Sequence, residues 1–145
     1  MSEITTFESR KGALSCTPQE LYHFLNDIRN FERFVPADRF SDIRMEKESC
    51  SFSVPMLGKV SIMIADRKEY SEVVYRGSAM AVDDFALAVS FDDTDTGSSE
   101  VRLTVNARIN PLLRMAAAEP VKNMLETIVG EMEKFTGWTD IKEGS

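Results

Sequence analysis

The chain has 145 residues, 43% of them hydrophobic and 28% charged, with a formal net charge of −7. That length suits one domain, residues 1–145, able to bury roughly 68–70% of its unfolded surface without disulfides or metal. The negative field opposes phosphate backbones and anionic headgroups, and no cluster of four or more Lys or Arg offsets it, so no nucleic-acid partner is expected.

No run approaches the roughly 18 apolar residues that signal a membrane span. The opening MSEITTFESRKG lacks the apolar core of a signal peptide, and the cytoplasm is the expected compartment. Cys16 and Cys50 have no CxxC partner and no neighbouring His; they read as reduced, packed thiols.

In chain order, Ile4 to Leu14 mixes β-branched, aromatic and polar residues and predicts a first strand. Thr17 then offers an N-cap, Pro18 suits the first helical position, and Glu20 gives an imperfect capping box. Leu21, Phe24, Leu25 and Ile28 recur at helical spacing, and Phe31, Phe34 and Val35 extend the face until Pro36 stops it. One broken helix, or two short ones, is expected from Pro18 to about Phe34.

From Phe40 to Ile109 the period becomes two. Phe52 and Val54 alternate with serines, and Val60, Ile62 and Ile64 with Ser61, Met63 and Ala65. Phe85, Leu87, Val89 and Phe91 alternate with small residues, and Val101 to Ile109 is the clearest strand. Turn signals lie at PMLGK, RGS and DDTDTGSS, so the runs read as hairpins of an antiparallel meander. After Asn110 the period returns to 3.6, with Val121, Leu125, Ile128, Met132 and Phe135 in one stripe flanked by Met124 and Val129. Pro120 is expected to kink or restart this helix, and Gly137 to end it.

Chemistry-bearing residues are sparse. His23 is the only histidine, without an evident partner to orient it as a base. One His and two distant Cys are too few for a zinc site, and Asp83, Asp84, Asp92, Asp93 and Asp95 fall in expected turns, where Asp serves the backbone. No Ser/His/Asp grouping or phosphate-cradling loop occurs, so no catalytic residue, cofactor or metal is expected. Met56, Met63, Met80, Met115, Met124 and Met132 supply adaptable apolar surface.

Three stretches carry a family resemblance: SCTPQELYHFLNDIRNFERFVP, VPMLGKVSIMIADRKEYSEVVYRGSA and NPLLRMAAAEPVKNMLETIVGEMEKF. Their order resembles the START/Bet v 1-like superfamily, which includes polyketide-cyclase-like proteins. The resemblance implies an α+β helix-grip fold: a curved antiparallel sheet of about seven strands, two short helices after strand 1, and a long C-terminal helix. It also implies a cavity between sheet and helix, where relatives hold sterols, lipids, polyketides or quinones.

On that expectation, Ile62, Ile64, Phe85, Leu87, Leu103, Val105, Leu125, Val129 and Met132 are the candidate lining. Asp66 is in phase with Val60, Ile62 and Ile64. It either reaches the cavity edge near Tyr75 and Arg76 as a polar orienting group, or is solvated with Arg67 and Lys68 where the strand ends. The leading expectation is binding or carriage of a small apolar molecule (lipid, sterol, polyketide or quinone-like). The alternatives are a cyclase- or dehydratase-like enzyme acting on a polyketide-type substrate and a protein-interaction module without a small-molecule ligand.

Overall fold

A computed structural model describes residues 3–34, 41–54, 58–79, 82–94 and 97–138. Pro36, Phe40, Met56, Met80 and Asp95 lie outside the described residues. The strands are β1 (Glu3–Glu8), β2 (Gly12–Leu14), β3 (Ser41–Met45), β4 (Ser49–Val54), β5 (Gly58–Lys68), β6 (Glu72–Ala79), β7 (Val82–Asp93) and β8 (Ser99–Ile109). Helix α1 (Pro18–Leu25) and a 3-10 helix (Ile28–Phe34) separate β2 from β3, and α2 (Pro111–Lys134) follows β8. The strands form one antiparallel sheet in the order β1-β8-β7-β6-β5-β4-β3, with β2 also on β8. This is an α+β helix-grip fold.

The sheet has eight strands where about seven were expected, because the first run divides. At Ser9 the chain leaves the β1 register: the Ser9 N–H donates to the Leu103 carbonyl, and the Ser9 hydroxyl accepts from the Leu103 N–H at 2.9 Å. A polar side chain thus substitutes for a ladder partner, and pairing resumes at Gly12 opposite Val101.

The capping box at α1 is complete, correcting the reading of it as imperfect. Thr17 is the N-cap, its hydroxyl accepting from the Glu20 N–H at 3.2 Å while Glu20 accepts from the Thr17 N–H at 2.9 Å. Asn110 caps α2 by accepting from the Leu112 N–H at 2.8 Å.

Helix α2 continues through Pro120 without a restart. The proline removes one N–H donor, and the carbonyl it leaves belongs to Ala116, on an exposed stretch where water can serve it. The helix ends at Phe135, which turns extended at ψ 139, two residues before the expected stop at Gly137. A Cβ on Gly137 would stand 3.0 Å from the Phe135 ring. Glycine therefore lets the chain fold back so that Trp138 is buried against α1.

Candidate functional site

Cross-strand register arranges the concave face in rows. One row runs Met45, Cys50, Ile62, Gly77, Phe85, Ala107, Thr5 across β3 to β1. The next runs Ile64, Tyr75, Leu87, Val105, Phe7. Deeper rows contain Val73, Val89 and Leu103, then Phe91 and Val101. A Cβ at Gly77 would collide with the Ser61 carbonyl oxygen and the Ile62 side chain, so β5 and β6 come together there only because Gly77 has no side chain.

From Ala117 to Ile128, α2 does not fill the hollow. A cavity of about 110 Å³ lies between Ala117, Val121, Met124, Leu125 and Ile128 of the helix and Phe7, Met45, Cys50, Phe52, Val60, Ile62, Ala79, Phe85, Leu87, Val105, Ala107 and Ile109 of the sheet, with Phe31 at its side. Among the described residues the wall is apolar. Under the last turns of α2, from Val129 on, the space is closed. Leu103, Val89, Val73, Val129 and Met132 are completely buried, and Phe24, Phe34, Phe135 and Trp138 pack together with ring centroids 4.9–5.7 Å apart.

The candidate lining therefore divides. Ile62, Phe85, Leu87, Val105 and Leu125 border the cavity. Leu103, Val129 and Met132 do not, because they lie at the closed end, and Ile64 packs half-buried against the core. Sequence reasoning missed Val121 and Ile128, although both lie on the same helical stripe, and it missed the small residues. Ala79, Ala107 and Ala117 lie on the wall, and their small volume is the signal that could have located the space.

The polar trio does not converge. Asp66 is exposed, and the reason is a register irregularity between Ile64 and Asp66: Ile64 pairs with inward Tyr75, but Asp66 pairs with Val74 on the other face. The strand continues to Lys68, so it is the bulge that turns this carboxylate outward. Arg76 is also exposed and lies 3.4 Å from Asp84. Tyr75 is fully buried, its hydroxyl donating to the Leu25 carbonyl at 3.0 Å, and burial pushes the phenol well above its ordinary range.

Cys50 is the one thiol in the cavity wall, and burial pushes it up to about 12, so it stays protonated at neutral pH. Cys16 is raised to about 12 by the same cause. His23 is exposed, with its ring edge-on to Tyr22 and Tyr70, away from the cavity. Among the described residues no group of three or more His, Cys, Asp or Glu could hold a metal ion, and no helix is long and apolar enough to cross a membrane.

A curved antiparallel sheet gripping one long helix, with an apolar hollow left between them, defines a helix-grip protein. Solved structures of this fold agree. Norcoclaurine synthase from Thalictrum flavum is 7% identical, with a TM-score of 0.71 over 92% of this chain and 86% of that one. Ara h 8.0201 is 12% identical, with a TM-score of 0.59 over 92% and 100%. The di-domain ARO/CYC StfQ from the steffimycin biosynthetic pathway is 10% identical, with a TM-score of 0.70, and this chain spans 52% of it. At these identities the likeness establishes the fold that START/Bet v 1-like proteins share. No family model and no curated protein matches the sequence.

Proposed function

We propose that the protein binds and carries a small apolar molecule in the cavity beneath α2 between Ala117 and Ile128, without transforming it. The observation that carries this reading is a wall that, among the described residues, is built of apolar groups and lacks any pair of polar side chains aimed at a common point. General acid–base work requires such groups within hydrogen-bond reach of the substrate. The three candidates for that role are turned outward or already bonded to the backbone.

Size narrows the ligand. The space of about 110 Å³ falls below the roughly 300–1,000 Å³ of typical small-molecule sites. It suits a body of about one ring, and a larger ligand requires the wall to yield. Met45 and Met124 are the wall residues best able to do so. A structure of norcoclaurine synthase, 7% identical at a TM-score of 0.70, holds dopamine and hydroxybenzaldehyde, each a single ring. The fold accommodates molecules of that size, but this apolar wall selects for ones with fewer polar groups.

Titration with toluene and p-cresol tests the reading. Saturable methyl NMR shifts at Ile62, Leu87, Val105 and Leu125, with a rise in thermal midpoint, are expected. Ala117→Phe should fill the space, abolish the shifts, and hold or raise stability by up to about 1 kcal/mol. Absent or non-saturable shifts in the wild-type chain would refute it.

A further inference from the structure

Among the described residues, three buried side-chain polar atoms have no hydrogen-bond partner: Thr5 Oγ1, Asn30 Oδ1 and Trp138 Nε1. Asn30 and Trp138 belong to the closed end, where Asn30 donates to the Phe24 carbonyl and Trp138 packs on the Phe24 ring. Thr5 belongs to the other end. It lies on the concave face of β1, opposite Ala107 and next to Phe7 on that face, and both of those residues line the cavity. Directly opposed side chains on one face have Cβ atoms about 4.5–5.5 Å apart, so Thr5 stands immediately beside the cavity wall.

Among the described residues nothing in the fold uses this hydroxyl. Thr6, the next residue, faces the other side of the sheet and donates to Asn106 at 2.7 Å. Thr5 is partly exposed on an edge strand, yet its oxygen is covered, so the surface it shows to solvent is backbone, Cβ and methyl. A buried hydroxyl without a partner costs stability, whereas valine has the same shape, suits a half-buried strand and carries no such penalty. An unsatisfied group beside a cavity is explained by a partner that arrives with a ligand.

We propose that Thr5 determines which apolar molecule is taken up, by forming a hydrogen bond with a single uncharged hydroxyl or carbonyl on the ligand. The inference rests on the carrier reading and narrows it to a small phenol, alcohol or ketone. A threonine hydroxyl both donates and accepts, so each of these fits. A carboxylate or amine does not: among the described residues no charged side chain lines the cavity, and an unpaired charge there is costly. The hydroxyl is covered in this conformation, and a ligand meets it when Thr5 rotates about its Cα–Cβ bond or Phe7 swings aside. Such yielding is what any body larger than the space of about 110 Å³ already requires.

The affinities of toluene and p-cresol, which differ by one hydroxyl, decide it. Methyl NMR titration of the wild-type chain should show p-cresol bound at least as tightly as toluene, because Thr5 offsets the desolvation of the phenol. Thr5→Val should weaken p-cresol about fivefold to tenfold, as expected for one hydrogen bond, and leave toluene within about twofold. Thr5→Ser keeps the hydroxyl and should keep the wild-type ratio of the two affinities. The thermal midpoint of Thr5→Val should hold or rise, which separates a lost preference from a lost fold. The proposal is overturned if Thr5→Val binds p-cresol as the wild type does, or if the wild-type chain takes up toluene and refuses p-cresol. Either result leaves the carrier reading standing. If neither compound binds the wild-type chain, the carrier reading falls and this inference with it.

Discussion

Beneath Met132 the hollow of the sheet is sealed by four aromatic rings, whereas beneath Val121 the same sheet and helix leave a space of about 110 Å³. Both ends are lined by apolar residues, so hydrophobicity does not distinguish them. Volume and cross-linking do. At the closed end α1, the short helix after it and the returning chain each contribute a ring, and Gly12 lets β2 approach so closely that a Cβ there would stand 2.5 Å from Val129. Polar contacts pin that half of α2: Arg10 reaches Glu133 at 2.6 Å, and Glu133 also accepts from the Ala13 N–H at 3.1 Å. At the open end Ala79, Ala107 and Ala117 stand in the wall among larger residues such as Phe7, Phe52 and Phe85, and the helix before Ala117 is exposed. The hollow is a core in which small residues such as Ala79, Ala107 and Ala117 leave one end unfilled.

This contrast is most sharply broken by truncating one ring at each end. Phe24→Ala removes a fully buried member of the cluster and should cost about 3–5 kcal/mol in chemical denaturation. Phe85→Ala, on the cavity wall, should cost about half of that or less, since Phe85 is half-buried and borders space already empty. Equal losses would mean that the two ends are packed alike.

A smaller effect is expected at Tyr75, between the two regions. Tyr75→Phe leaves the Leu25 carbonyl without its donor and should lower stability by about 1–2 kcal/mol. The toluene-induced methyl shifts should persist, because this hydroxyl serves α1. Their loss would return Tyr75 to the ligand site.

The smallest effect is acid sensitivity confined to the closed end. Asp27 is held below its ordinary 3.8, chiefly by the hydrogen bond from Arg29, and Glu133 below its ordinary 4.5 by that from Arg10. A carboxylate depressed on folding contributes stability that is fully present above its unfolded value and lost as pH falls through its folded one. The thermal midpoint should therefore decline as pH drops below about 4.5, and less so in Asp27→Asn and Glu133→Gln. Amide exchange should rise first around α1 and the C-terminal half of α2. A decline shared equally by the cavity end would contradict this assignment.

Much of this architecture could be read from local pattern. The change of period from two to 3.6 at Asn110, the turn residues between strands and the Thr17–Glu20 spacing are properties of neighbouring residues, and they placed the meander, α1 and α2 correctly. Of the three α2 residues expected in the lining, Leu125 borders the cavity and Val129 and Met132 do not, because Val121 and Met132 look alike in sequence. Which of them faces empty space depends on what stands opposite. Phe24, Phe34, Phe135 and Trp138 come from distant parts of the chain and close on one another at one end, whereas Phe7, Phe31, Phe52 and Phe85 at the other stand around a space that Val121 also borders. Asp66 shows the same limit over two residues: strict alternation directs it inward, and one irregularity in pairing with β6 turns it out. Periodicity reports which residues share a face within one element, and it determined the helix-grip plan. Register, bulges and the meeting of remote side chains exist only once the chain has closed on itself, and they alone decided where the hollow stays open.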